Sequence, residues 1–450
     1  MGATTWAREG QYSGVVPCLA LALLWPLCTS AQRAGDGPTS AAAPPQPTSA
    51  LSRRGAVPQA VQVLDELIER LTDAPLYRDN DAELLLDGPQ THDAMLEAIA
   101  SAQHHVHLES YIFADDDVGA EFAAALAAKA REGVAVRVIF DAIGSRGGAD
   151  GFWMDLQEAG VAVREFNPPD PVQDQNPFDI DTRDHRKLLI VDGRVAFTGG
   201  INIDRNYARP SEAAGGTGKP SGWRDTHIRI AGPAVAAFQQ LFVSIWEQLD
   251  EPLGELYAPP PRQLDQGDTL VRVLTNVGGD DELSEIWVAY QAAAKVAAER
   301  IWITQSYFAP DEELLAAITE AAARGVDVRI LVAGFSDSDL LLNASRAYYG
   351  DLLEAGVSVF ESQEHILHAK TMVVDGYWST VGSSNLDYLS FLHNHEANAV
   401  ILGAKFATQL EDVFLADLDN AVQIDAEQWR RRSMWQRAKE LGSYFIRYRL

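Results

Sequence analysis

Cysteine is almost missing from this chain of 450 residues: the two present, Cys18 and Cys28, both fall in its first 28 positions. The rest of the sequence has no thiol, which excludes a disulfide framework, a cysteine nucleophile and a cysteine-bound metal from the body of the protein. Long apolar runs are missing as well. Gly14–Cys28 covers fifteen residues, short of the roughly 20 that cross a bilayer. It follows Arg8 and leads into the small residues Thr29-Ser30-Ala31. Residues 1–31 therefore read as a signal peptide, cut after Ala31, or as a membrane anchor. Positive charge is scarce: 36 Lys and Arg stand against 64 Asp and Glu, a net charge of −28. That argues against a nucleic-acid enzyme, whose footprint is basic, and against electrostatic adsorption to anionic bilayers. It leaves room for a small cationic site inside an acidic body. No dense Asp/His cluster is present, and His104-His105-Val106-His107 lies at the start of a predicted strand. Neither a metal nor another cofactor is expected.

The body of the sequence says one thing twice. His185-Arg186-Lys187-Leu188-Leu189-Ile190-Val191-Asp192 returns as His368-Ala369-Lys370-Thr371-Met372-Val373-Val374-Asp375. A small-residue turn and an asparagine follow each copy, Gly199-Gly200-Ile201-Asn202 and Gly382-Ser383-Ser384-Asn385. Upstream, Asp155-Leu156-Gln157-Glu158-Ala159-Gly160-Val161 parallels Asp351-Leu352-Leu353-Glu354-Ala355-Gly356-Val357, and Glu109-Ser110-Tyr111 parallels Gln305-Ser306-Tyr307. Downstream, Asp225 stands seven residues before Gly232 and Glu396 seven before Gly403. This predicts two homologous domains at 59–255 and 256–425, after an Ala/Pro/Ser-rich linker at 32–58 and before a basic aromatic tail at 426–450. Within each half, Ala120–Arg131 and Leu314–Arg324 have helical spacing. Val134–Phe140, Leu188–Val191, Val326–Val332 and Thr371–Val374 read as strands buried on both faces. Asp192-Gly193 and Asp375-Gly376 are tight-turn pairs. The alternation gives an α/β fold, each domain a sheet flanked by helices. Placed two apart on one strand, the histidine and lysine of each motif would share a face.

Histidine, lysine and asparagine at this spacing suit a phosphodiester. A neutral imidazole attacks without the repulsion an anion would meet, forming a phospho-histidine, and a second imidazole can protonate the leaving alkoxide. His185 and His368 supply the pair. Lys187 and Lys370 can neutralise the non-bridging oxygens, and Asn202 and Asn385 can donate to them. Asp225 and Glu396, at equivalent places in the repeats, are the candidates to orient the histidines. Asp192 and Asp375 complete the set of catalytic candidates, although their place at a strand end also fits a turn cap. His92, His227, His365, His393 and His395 read as surface or supporting groups, and Tyr111 and Tyr307 as packing residues at strand ends.

Taken together, these motifs resemble the paired HKD signature of the phospholipase D superfamily. Asp184-His185-Arg186-Lys187, Phe197-Thr198-Gly199-Gly200-Ile201-Asn202, Trp223-Arg224-Asp225-Thr226-His227, Ser306-Tyr307-Phe308-Ala309-Pro310-Asp311-Glu312 and Asn394-His395-Glu396-Ala397-Asn398 most resemble bacterial cardiolipin synthases. The resemblance, from about Leu84 onward, implies two phospholipase D-like domains related by a pseudo-twofold, each with a mixed sheet. It implies one active site between them, His185 as nucleophile, His368 as acid, and a phospholipid substrate, phosphatidylglycerol, met at a membrane surface. The expected activity joins two phosphatidylglycerols into cardiolipin and glycerol. A hydrolysing phospholipase D, a nuclease and a non-catalytic lipid-binding module are the alternatives. An exported enzyme at the outer side of the inner membrane fits the leader. Two departures stand out: Gly200 where the signature has serine, and Leu389 where an arginine is expected. Trp429-Arg430-Arg431-Arg432-Ser433-Met434-Trp435 could rest on lipid headgroups or pack as a helix.

Overall fold

The computed structural model describes residues 57–446 apart from 148–149, 170–181, 210–221, 251–252, 254–266, 279–283, 337–338 and 364–365. The leader, all but the last two residues of the linker, and His365 lie outside the described residues. In chain order the first half gives β1 (Leu76–Leu86), β2 (His105–Ser110), β3 (Ala135–Asp141), β4 (Ala162–Phe166), β5 (Lys187–Val191), β6 (Val195–Gly199), the short β7 (Trp223–Arg224) and β8 (Thr226–Ala231). The second half gives β9 (Thr269–Asn276), β10 (Arg300–Gln305), the short β11 (Phe308–Ala309), β12 (Asp327–Ala333), β13 (Ser358–Ser362) and the short β14 (Ile366–Leu367). It continues with β15 (Lys370–Val374), β16 (Trp378–Gly382), the short β17 (Leu386–Asp387), β18 (Glu396–Leu402) and β19 (Ala421–Gln423).

Each half builds the same mixed sheet. From β1 outward the order is β8-β6-β5-β2-β3-β4; from β9 outward it is β18-β16-β15-β10-β12-β13, with β19 added at the edge. In each, three outer strands run parallel, as β2-β3-β4 and β10-β12-β13. The central motif strands are antiparallel to their neighbours. The two sheets also join: β1 pairs antiparallel with β9, making one continuous sheet of 15 strands. The repeat foretells two related sheets; it holds no sign of the β1–β9 seam, which is a long-range pairing of strands outside the motifs.

Burial on both faces explains why the motif strands are apolar without alternation. Leu188 and Ile190 pack into one core with Phe238 and Trp246. Leu189 and Val191 pack into another with Phe113 and Phe122. Matching helices open on matching caps. Asp116 accepts from the backbone N–H of Val118 and Gly119 at the start of Asp117–Arg131, and Asp311 from Glu313 and Leu314 at the start of Glu312–Ala323.

The motif aspartates belong to this framework. Asp192 and Gly193 have φ of 53° and 60°, Asp375 and Gly376 φ of 50° and 61°, the left-handed pair a tight primed turn requires. The Asp192 carboxylate accepts from the backbone of Gln103, His104 and His105 at 2.8, 2.7 and 2.9 Å. Asp375 does the same for Ala298, Glu299 and Arg300 at 2.9, 2.8 and 2.9 Å. Both sit at the far end of the motif strand from its histidine, so they tie that turn to the entry of β2 or β10. These contacts are those of the turn cap that their place at a strand end also fits. Asp192→Ala is expected to destabilise the fold by about 1–3 kcal/mol by removing the acceptor of three part-buried backbone donors. Activity per folded molecule should stay within a few-fold. A denaturation midpoint beside a specific activity measures both.

Candidate active site

Strand alternation, which the sequence suggests, is not what holds the histidines. Each lies two residues before its strand, in a segment paired with the other half. Asp184 bridges in parallel to His395, with His185 N–H donating to the His395 carbonyl at 3.0 Å. In the same way β14 pairs in parallel with β7, and His368 N–H donates to the Arg224 carbonyl at 2.8 Å. The residue after His395 is Glu396, and the residue after Arg224 is Asp225. Each histidine is thus set beside a carboxylate from the opposite repeat.

The resulting contacts are crossed. His185 Nδ1 lies 2.9 and 3.1 Å from the Glu396 oxygens, and His368 Nδ1 lies 2.8 Å from Asp225 Oδ2. Both carboxylates are fully buried. Burial pushes Asp225 up, but His368, Lys370 and the Thr226 N–H hold it below the usual carboxylate range. Burial likewise pushes Glu396 up, and His185, Lys187 and Ser383 hold it down. Burial lowers both imidazoles: His185 falls below its ordinary value despite Glu396, and His368, with Lys370 adding to burial, falls to about 4. Ionised carboxylates facing neutral imidazoles fix the proton on Nδ1 and leave the Nε2 lone pair to act.

Around this core the two halves differ. Ser383 Oγ donates to Glu396. Its equivalent is Gly200, where a β-carbon would lie 2.2 Å from an Asp225 oxygen. The shorter aspartate carries its carboxyl group close to the backbone, which accounts for glycine where the signature has serine. Tyr207 fills the remaining space: its hydroxyl lies 3.2 Å from His368 Nδ1 and accepts from Asn202 Nδ2 at 3.0 Å. In the other half Ser306 Oγ accepts from Lys370 Nζ at 2.9 Å and donates to Asn385 Oδ1 at 2.8 Å. Both lysines donate to the carbonyl of their own motif histidine, Lys187 to His185 at 2.5 Å and Lys370 to His368, and Lys187 Nζ lies 5.1 Å from the centre of the Tyr111 ring. Burial takes the Lys187 ammonium down to about 7; Glu396 opposes the shift and Lys370 adds to it.

His185 and His368 open together into a cavity of about 280 Å³, also lined by Asn202, Asn385, Tyr111, Tyr207, Trp223, Tyr307 and Arg183. Tyr111 and Tyr307 therefore border the cavity instead of only packing strand ends, and Tyr111 meets His185 edge-on at 4.9 Å. The lysines stand behind the histidines, almost wholly buried. Of the other histidines, His92 supports Asn202 through its carbonyl at 3.0 Å, and His395 Nδ1 accepts from Gly278 N–H at 3.2 Å. His105 and His107 contact Gln239. Ser306 is signalled by its recurrence in the two Ser-Tyr strings; Tyr207 is not, because the second repeat has Ser390 at that place.

A doubled α/β fold that brings two carboxylate-set histidines onto one cavity has the build of a phospholipase D-like site. The family model described as cardiolipin synthase, PLD-like domain, matches twice, at residues 95–214 and 290–418. A cardiolipin synthase of Listeria welshimeri is 37% identical over 376 residues, covering 83% of this chain and 76% of that protein. One from Halalkalibacterium halodurans is 37% identical over 385 residues, 84% of this chain and 74% of that one. The chain belongs to the phospholipase D-like cardiolipin synthase family. The fold is shared at 14% identity with a phosphatidylserine synthase of Haemophilus influenzae, with a TM-score of 0.64 over 86% of this chain and all of that one.

Proposed function

We propose that this protein is a phosphatidyltransferase that joins two phosphatidylglycerols into cardiolipin and glycerol. The observation that carries the reading is the crossed pair of His–carboxylate contacts opening on one cavity, in a chain 37% identical to cardiolipin synthases. His185 Nε2 attacks phosphorus, the bond to the headgroup oxygen breaks, and His368, protonated, gives its Nε2 proton to that oxygen as glycerol leaves. The anionic phosphate beside it opposes the burial that keeps His368 neutral in the free protein. A hydroxyl of the second phosphatidylglycerol then returns a proton to His368 and attacks phosphorus, and the N–P bond breaks. Asn202 and Asn385 donate to the phosphate oxygens from the cavity wall, and Lys187 and Lys370 balance its charge from behind. The enzyme works at a membrane surface, on the exported side, and takes no nucleic acid.

Lipid mass spectrometry after incubation with phosphatidylglycerol vesicles tests this directly. Cardiolipin with an equal yield of glycerol is the expected result. Phosphatidic acid would make water the acceptor and the enzyme a hydrolase; no turnover of any phospholipid would remove the reading.

The site also predicts a pH dependence. Lys187 is a cation below about pH 7 in the free protein and loses that charge as pH rises through it. Sulfate, an oxyanion that does not titrate in this range, is expected to inhibit several-fold more weakly at pH 8.5 than at pH 6. An inhibition constant flat across that range would show that Lys187 keeps its charge.

A further inference from the structure

Among the described residues eight large apolar side chains stand exposed, and five of them, Val277, Phe335, Leu340, Met434 and Trp435, belong to or follow elements that reach the cavity end of the sheet or pack on one that does. Val277 follows β9, whose last residue, Asn276, is paired with Glu396. Phe335 follows β12, the parallel neighbour of β10, which runs into Ser306 and Tyr307. Leu340 belongs to the helix Asp339–Ala347, whose next residue, Leu341, lines the cavity. That helix packs against the helix Met434–Ile446, with Gln436 Nε2 donating to Asn343 Oδ1 at 3.2 Å. Met434 and Trp435 open this second helix and are 79% and 71% exposed, the two most exposed large apolar side chains described.

Charge singles out the same place. Residues 426–450 hold seven Lys and Arg against two Glu, in a chain of net charge −28. Arg430, Arg431, Arg437 and Lys439 are exposed beside the two apolar side chains, and Lys439 Nζ lies 5.9 Å from the Trp435 ring centre. An apolar tip framed by cations is the pattern of a segment lying in the boundary between headgroups and acyl chains. The cavity adds a size constraint. At about 280 Å³ it is no larger than the smallest pockets for drug-sized ligands, roughly 300 Å³. It can take a phosphate and its headgroup while two acyl chains stay outside.

We propose that this face docks on an anionic phospholipid bilayer. Met434 and Trp435 enter the interfacial layer, Arg430, Arg431, Arg437 and Lys439 meet the headgroup phosphates, and Phe335, Leu340 and Val277 frame the mouth so that a lipid lifts only its headgroup into the cavity. The inference rests on the phospholipid substrate proposed above, but its test reads binding without turnover. Partition onto phosphatidylglycerol vesicles is measured by co-sedimentation for the full chain, for Met434→Gln/Trp435→Gln, and for Leu415→Gln/Val422→Gln, which removes two exposed apolar groups outside the helices Asp339–Ala347 and Met434–Ile446. The first pair is expected to weaken partition roughly 10- to 100-fold, from the loss of two inserted side chains; the second should leave it within two-fold. Partition onto phosphatidylcholine vesicles should be at least ten-fold weaker for the parent chain. Activity on a short-chain phosphatidylglycerol below its micelle concentration should survive in Met434→Gln/Trp435→Gln, while activity on vesicles falls with partition. Equal partition of all three proteins would overturn the proposal. So would equal loss in both pairs, or sedimentation in which the first pair turns a dimer into a monomer with partition unchanged. Vesicle binding with no lipid product would leave the docking face standing and remove the transferase.

Discussion

Replacing His185 or His368 by alanine is expected to lower transfer by about 10⁴-fold or more, and the double variant to be no slower than either single one, because the two act in the same covalent cycle. The single variants should differ in what they accumulate. With a phosphatidyl ester of p-nitrophenol the departing oxygen needs no proton. His368→Ala should still form the phospho-histidine and then stall, because no base remains to activate the acceptor. His185→Ala should form no adduct. Intact-mass measurement after rapid quenching reads this: an adduct in His185→Ala and none in His368→Ala would exchange the roles. An adduct in neither would remove the covalent mechanism.

The second large effect concerns the carboxylates. Asp225→Asn and Glu396→Gln keep the shape of each side chain and remove the charge that holds Nδ1–H. By analogy with the same change in other histidine–carboxylate sites, each is expected to lower transfer by roughly 10²- to 10⁴-fold. The geometry also says which imidazole each one moves. A neighbouring carboxylate favours the charged imidazole, so its loss lowers the histidine pKa. Asp225 lies on His368 and Glu396 on His185. Asp225→Asn should therefore lower the titration of His368 while leaving that of His185 nearly in place, and Glu396→Gln should do the reverse. Histidine-labelled NMR follows both rings. A shift confined to the histidine of the same repeat would contradict the crossed contacts.

Much of the site and the fold is legible in the amino-acid sequence. His185, Lys187 and Asn202 recur as His368, Lys370 and Asn385, and their spacing states both the chemistry and the doubling of the fold. The strands are legible because burial on two faces writes itself as runs such as Leu188–Val191. Asp192 and Asp375 stand between two roles in the sequence for a physical reason. They stand in the motif as regularly as the histidines do, but regular spacing does not separate a group that touches substrate from one that ties down a turn. The left-handed backbone of Asp192-Gly193 and the three N–H donors around each carboxylate give the turn-tying geometry, which the spacing does not print. The partner of each histidine is also out of the sequence's reach. Asp225 and Glu396 are recognisable as equivalent, but which imidazole each meets depends on bridges between residues 143 and 211 apart in the chain. Tyr207 and Gly200 become intelligible only through the press of Asp225 against the backbone.

The crossed bridges bear on how such a chain can have arisen. A single repeat, half this length, would carry a histidine and a carboxylate that do not meet each other, since each is completed only from the other repeat. It would be finished by a second identical molecule, placed by a twofold axis so that both incomplete sites close at once on one cavity. Joining two such genes end to end would preserve every contact and free the copies to diverge. Gly200 beside Asp225 and Ser383 beside Glu396 carry the marks of that divergence: the same joint, inherited twice and since fitted with different parts.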